Sequence, residues 1–153
     1  MSSYCIKRTQ FIPISLDEAW EFFSHPANLQ KITPAHMNFR VLNNSFSDTM
    51  YAGQIITYKV SPIAGVPLFW MTEITHVVDK QYFIDEQRFG PYALWHHTHR
   101  FKLVAGGVEM TDIVHYKLPL GLLGQFAHWL FVKKQVEEIF NYRKVAVEKL
   151  FGV

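Results

Sequence analysis

The sequence predicts an α+β fold, with a curved antiparallel sheet of about seven strands wrapped around a long C-terminal helix. Three observations point there. Apolar residues follow a helical period soon after the N-terminus, alternate with period two through the middle, and return to a period of about 3.6 from Gly121 onward. The joints between alternating runs are short and rich in Gly, Pro, Asn and Asp. No repeat, low-complexity tract or linker composition interrupts them, so residues 1–153 read as a single domain.

Residues 4–12, "YCIKRTQFI", suit a first strand that Pro13 closes. In "SLDEAWEFFS", Ser15 and Glu18 form a capping-box pattern, and Leu16, Ala19, Trp20 and Phe23 make one apolar stripe. "HPANLQKITP" breaks and restarts that helix, with Pro26 in an early turn and Pro34 ending it. Six strand-like runs follow: "MNFRVLN", "QIITYKVSP", "PLFWMTEITHVVDK", "QYFIDEQRFG", "YALWHHTHRFKLVAGG" and "VEMTDIVHYKLP". Their joints are a longer loop from Asn43-Asn44, the segment Ser61 to Val66, and then Asp79-Lys80, Gly90-Pro91 and Gly106-Gly107. Short joints make the last four strands an antiparallel meander. The terminal helix carries Phe126, Trp129, Val132, Val136, Ile139, Phe140, Val147 and Leu150 on its apolar face, which needs a sheet to lie on. Its opening, "LPLGLLGQFAHWLF", reads first as the loop and turn closing one end of the core, and second as a surface for a membrane or partner.

Composition narrows the function classes. The net charge is +2 and the basic residues are scattered, so no stripe exists for neutralising phosphates and nucleic acid is not an expected partner. A single cysteine, Cys5, excludes an internal disulfide and fits a reducing compartment. No run approaches the roughly 18 apolar residues of a membrane span, and the expected location is cytoplasmic. Aromatic residues make up 16% of the chain, more rigid apolar surface than a small core needs and suited to enclosing a ligand cavity.

Alternation sorts the side chains by face. Phe83, Asp85 and Gln87 share one face of their strand, against Tyr82, Ile84, Glu86 and Arg88. On the next strand Trp95, His97, His99, Phe101 and Leu103 face the helix, while His96, Thr98, Arg100 and Lys102 face water. The turns then set registers. Gly106-Gly107 puts Phe101 opposite Asp112, His99 opposite Val114 and His97 opposite Tyr116. Gly90-Pro91 puts Gln87 near Trp95, Asp85 near His97 and Phe83 near His99. Asp79-Lys80 brings His76 beside Phe83 and Ile74 beside Asp85. One concave face thus collects Asp85, Gln87, His97, His99, Asp112, Tyr116 and His76 amid Trp70, Phe83, Trp95 and Phe101. Tyr58 and Phe140 complete the candidate ligand-binding set. Polar groups buried there need partners, since each left unsatisfied costs about 1–3 kcal/mol, and Asp85 with His97 is the first pairing to expect.

Several chemistries compete for these residues. His97 and His99 form an H-x-H pair projecting about 7 Å apart, near enough to share an ion with Asp85 or His76. The nearest metal-binding spacing, that of cupins, places a Glu where this chain has Leu103, and no metal or other cofactor is expected. Cys5 has no evident base, and no G-x-S-x-G or phosphate-binding loop occurs. An Asp85–His97 acid–base pair is the enzymatic alternative. The preferred reading is a polar network that orients a ligand or holds the sheet.

The order of elements, with "ISLDEAWEFFSHPANLQKITP", resembles the START-like, Bet v 1-like helix-grip superfamily, also called SRPBCC. The resemblance is sharper for one bacterial subgroup with a pattern like F.D.Q..GP...W.H.H.F, met here by Phe83, Asp85, Gln87, Gly90, Pro91, Trp95, His97, His99 and Phe101. "TDIVHYKLPLGLLG" and "IFNYR" are similar to the same subgroup, and the likeness covers essentially the whole chain. It implies a deep cavity between sheet and helix that takes lipids, sterols, quinones or polyketides. Some superfamily members are cyclases, dehydratases or aromatases, and many only bind. The expectation is therefore a binding protein for a hydrophobic small molecule, with a cyclase- or dehydratase-like enzyme as the alternative and any protein partner left open.

Overall fold

A computed structural model describes residues 3–43, 49–63 and 65–152 of the chain. The elements run β1 (Tyr4–Ile12), α1 (Leu16–Ser24), 3-10 turns at Pro26–Ile32 and Ala35–Met37, then β2 (Arg40–Val41) and β3 (Ile55–Ile63). They continue with β4 (Val66–Val78), β5 (Tyr82–Phe89), β6 (Leu94–Val104) and β7 (Gly107–Lys117). The C-terminal helix joins α2 (Gly121–Ala127), a π-helical turn at His128–Val132 and α3 (Lys133–Phe151). The seven strands form one antiparallel sheet in the order β1-β7-β6-β5-β4-β3-β2, curved around that helix as expected. The loop expected from Asn43-Asn44 lies outside the described residues from Asn44 on, as does Ala64 in the β3–β4 joint.

Local chemistry sets the ends of α1. The Ser15 backbone N–H donates to Glu18 Oε2 at 2.9 Å and the Glu18 N–H donates to Ser15 Oγ at 3.2 Å, the reciprocal pair of a capping box. Where a second helix was expected, Pro26–Ile32 forms a 3-10 turn with Pro at its start.

Three apolar clusters surround the interior. Trp20 of α1 packs edge-on against Phe83 and Phe101, with Ile12, Val108 and Val147 buried beside them. Val132, Val136 and Phe140 of the helix meet Ile6, Val114 and Tyr116 of β1 and β7. Phe39, Ile56, Tyr58, Val60 and Ile74 gather at the β2–β4 side.

Two registers differ from expectation. The β6–β7 turn is the two-residue loop Ala105-Gly106, with Gly106 at φ +82°, so Gly107 already pairs with Val104. That moves the pairing by two residues: His99 faces Asp112, His97 faces Val114 and Trp95 faces Tyr116. An even shift keeps every side chain on its expected face. Between β4 and β5, Ile74 pairs with Asp85 as expected, but a bulge before His76 sets that residue opposite Ile84. His76 is consequently exposed, bonded to Thr75 Oγ1, and takes no part in the concave face. On the outer face Thr98 is buried rather than wetted, paired between Ile84 and Ile113.

The start of the terminal helix corrects another expectation. Its inward stripe is Gly124, His128, Val132, Val136 and Phe140, every fourth residue. A spacing of four drifts around a helix of 3.6 residues per turn, and the wider π turn at His128–Val132 compensates for the drift. Leu122, Phe126, Trp129 and Leu130 therefore point outward and do not close the core, while the exposed Leu120 and Leu123 edge the cavity.

Candidate functional site: a cavity with a buried ionic wall

Between sheet and helix lies a cavity of about 360 Å³. Its walls are mostly apolar. Ile56, Tyr58 and Val60 come from β3, Trp70 and Ile74 from β4, Phe83 from β5, Trp95 from β6, and Val136, Ile139 and Phe140 from the helix. Asp85, His97, His99 and Arg143 bring charge to one wall.

Strand pairing builds that wall. Asp85 of β5 sits opposite His97 of β6, as the Gly90-Pro91 turn predicts, and His99 sits opposite Asp112 of β7. The bonds nevertheless run diagonally. His99 Nε2 donates to Asp85 Oδ2 at 2.7 Å and His97 Nε2 donates to Asp112 Oδ1 at 2.9 Å. The expected Asp85–His97 pair is a looser contact, Nδ1 to Oδ2 at 3.7 Å. His99 Nδ1 comes within 3.0 Å of Asp112 Oδ1, but not in hydrogen-bonding alignment. From α3, Arg143 places Nη1 3.7 Å from Asp112 Oδ1 and lays its guanidinium over the Phe140 ring at 5.1 Å.

Protonation follows from these contacts. Burial disfavours a charged His99, but the close Asp112 carboxylate and the hydrogen-bonded Asp85 outweigh it and raise its pKa. Burial, then the neighbouring His99, lower the pKa of His97 against the pull of both carboxylates. Burial also opposes charge on Asp85 and Asp112, yet the imidazoles and Arg143 overcome it, leaving Asp85 low and Asp112 well below the usual carboxylate range. The wall thus sets two carboxylates against Arg143 and an imidazole pair in which the contacts favour the proton on His99 over His97, whose Nε2–H points to Asp112. Buried charge persists only when compensated in this way. Tyr58 is raised by burial, then by the nearby Asp85, and keeps its proton.

Of the twelve candidate residues, Tyr58, Trp70, Phe83, Asp85, Trp95, His97, His99 and Phe140 line the cavity. Phe101 packs away from it between Trp20 and Phe23. Asp112 stands behind the two imidazoles. Gln87 clamps the backbone of Tyr92, donating to its carbonyl at 2.6 Å and accepting from its N–H at 3.1 Å. Tyr116 reaches His128, oxygen to Nε2 at 2.9 Å. Tyr92 and Arg143 are among the lining residues that were not candidates. Tyr92 packs on Trp95 and Trp70 with ring centroids 4.8 and 5.6 Å away. Arg143 lies seven residues beyond Val136 and three beyond Phe140 on the inward stripe, a cation in an apolar row that marks it in the sequence.

Asp85, His97 and His99 also each offer one potential ligand atom, and these atoms lie within 4.8 Å of one another. The same atoms are engaged with carboxylates and imidazoles, and Arg143 adds a fixed positive charge beside them.

Solved structures share this architecture over nearly their full lengths. Ms6760 from Mycobacterium smegmatis superposes with a TM-score of 0.66 at 16% identity, over 95% of this chain and 92% of its own. Major latex-like protein 151 from Panax ginseng gives 0.69 at 13% identity, over 97% of each chain. Ara h 8.0201 gives 0.63 at 11% identity, over 97% and 99%. The fold is a Bet v 1-like helix grip. No family model matches the sequence, and no curated protein is significantly similar to it. Among the described residues no helix of this grip is long and apolar enough to cross a membrane.

Proposed function

We propose that this helix-grip protein binds a largely apolar small molecule, such as a lipid, quinone, sterol or polyketide-like compound, inside the cavity. The observation that carries the reading is a mostly apolar space of about 360 Å³ between sheet and helix, with Asp85, His97, His99 and Arg143 on one wall. Ligand pockets of about 300–1,000 Å³ with a few convergent polar groups are the usual small-molecule sites. Trp70, Phe83, Trp95 and Phe140 provide the apolar surface, while Asp85, His97, His99 and Arg143 orient a polar group. A ligand hydroxyl finds an acceptor in His97 Nδ1, the unprotonated nitrogen of a neutral ring. The ligand-binding subgroup of SRPBCC proteins and a cytoplasmic setting fit this reading.

Native mass spectrometry of gently purified protein, joined to thermal-shift titration with fatty acids, quinones and sterols, tests it. A retained or added apolar ligand that raises the melting temperature is expected. Absence of mass addition and of stabilisation across the panel overturns the reading. The enzymatic alternative has less support, because Asp85 is bonded to His99 and meets His97 only at 3.7 Å. Replacing His97 by Phe separates the two: lost turnover with retained binding would favour catalysis.

A further inference from the structure

The structure assigns a second surface to this protein: we propose that Leu120, Leu122, Leu123, Phe126, Trp129 and Leu130 dock it onto an anionic lipid bilayer. Leu122 is 83% exposed, Leu120 and Trp129 are each 76% exposed, and Leu123 is 71% exposed. Scattered single apolar residues are ordinary on a surface, but a contiguous cluster of this kind marks an interaction site.

Three observations commit the occupant to lipid. The first is charge. No Asp or Glu occurs between Asp112 and Glu137, while Lys117, Lys133 and Lys134 flank the cluster. Leucines with a tryptophan beside lysines form the pattern of an interfacial helix, the apolar side chains entering the headgroup boundary and the lysines meeting anionic lipid. Lys134 also reaches Glu138 at 3.7 Å, a loose surface pair that leaves it available to phosphates.

The second is continuity with the interior. Leu120, Leu123 and Phe131 belong to the exposed cluster and also line the cavity. A protein partner seated here would cap the mouth. A bilayer would instead join the cavity to a reservoir of apolar molecules, so that cargo need not cross water.

The third is backbone geometry. Leu120 adopts a left-handed conformation at φ 66°, unusual for a residue with a branched side chain, and so presents its isobutyl group to solvent. The π turn at His128–Val132 keeps the inward stripe continuous while Trp129 and Leu130 stay outside.

Co-sedimentation of the full chain with vesicles of phosphatidylcholine mixed with phosphatidylglycerol, compared with pure phosphatidylcholine, tests the proposal without any cavity ligand. Its failure therefore bears on this surface and leaves the cavity reading standing. Binding to the anionic vesicles is expected, weakened by salt and accompanied by a blue shift of tryptophan emission that Trp129→Phe removes. Leu122→Glu with Trp129→Glu should weaken binding by about tenfold or more, with circular dichroism unchanged because both side chains are exposed. Should that variant misfold, Lys133→Glu with Lys134→Glu supplies the same test by removing the salt dependence. Wild-type protein left in the supernatant at low salt overturns the proposal, as does equal binding by the substituted chains. So does a dimer in sedimentation velocity that Leu122→Glu converts to monomer, since a second copy would then cover the patch.

Discussion

His97 and His99 lie with ring centroids 3.7 Å apart, yet their pKa values move in opposite directions. Each touches a different carboxylate most closely, and only His99 has both within about 3 Å. Two imidazolium rings at that separation would repel, so the proton resides where two acceptors hold it.

The pair therefore splits the pH dependence of stability. The raised pKa of His99 gives a contribution fully present below its unfolded value of about 6.5, lost as pH rises through the folded value. The lowered pKa of His97 works in the other sense: the unfolded chain takes up the proton first, so stability falls as pH drops below about 6.5. In melting temperature measured across pH, His99→Gln should lessen the decline just above pH 6.5, and His97→Gln the decline just below it. Identical profiles in the two variants would refute this division.

Asp85 and Asp112, both held low, stabilise the fold above the unfolded carboxylate value of about 3.9. Arg143→Met removes the guanidinium that faces Asp112 and leaves buried negative charge in excess. The expected cost is about 3 kcal/mol at neutral pH in urea unfolding, the scale of breaking a buried ion pair. A loss under about 1 kcal/mol would show that water enters and compensates.

Gly124 is the one position of α2 with no room for a side chain. A Cβ there would stand 2.0 Å from the Pro119 carbonyl oxygen, a backbone atom that cannot step aside alone. Gly124→Ala should push the Pro119-Leu120 loop off the helix and open the cavity mouth, while the sheet stays intact. Hydrogen exchange ought to quicken in residues 118–124 and remain slow in β6 and β7.

Ser15→Ala deletes the acceptor for the Glu18 N–H and half of the capping box. Loss of such a cap costs about 1 kcal/mol, measurable as a lower urea midpoint with unchanged slope. Because Trp20 of α1 contacts Phe83 and Phe101, the loss should register in the global transition.

The sequence made the β4–β7 meander and the facing of β5 and β6 legible because period-two alternation is clear there and Gly90-Pro91 fixes the turn. The partners of His97 and His99 were less legible. The registers depend on turn lengths, and the bonds cross diagonally, which strand pairing alone does not specify. His76 slipped off the concave face at a bulge that no residue type announced. Arg143 was hidden by its own charge, which suggests a surface residue unless its helical phase is counted from Phe140. Trp129 erred in the reverse direction, since an apolar residue at helical spacing signals burial against something without saying what.

The place of β1 bears on how the chain assembles. Although first in sequence, it pairs only with β7, Tyr4 against Tyr116 through Ile12 against Val108. Strands β3 to β7 can zip together through local hairpins, but the strip that completes the wall must wait for a partner more than 90 residues away. A nascent chain therefore holds β1 unpaired until β7 has been synthesised. The enclosed cavity is a late product of folding, and the hairpin meander precedes it.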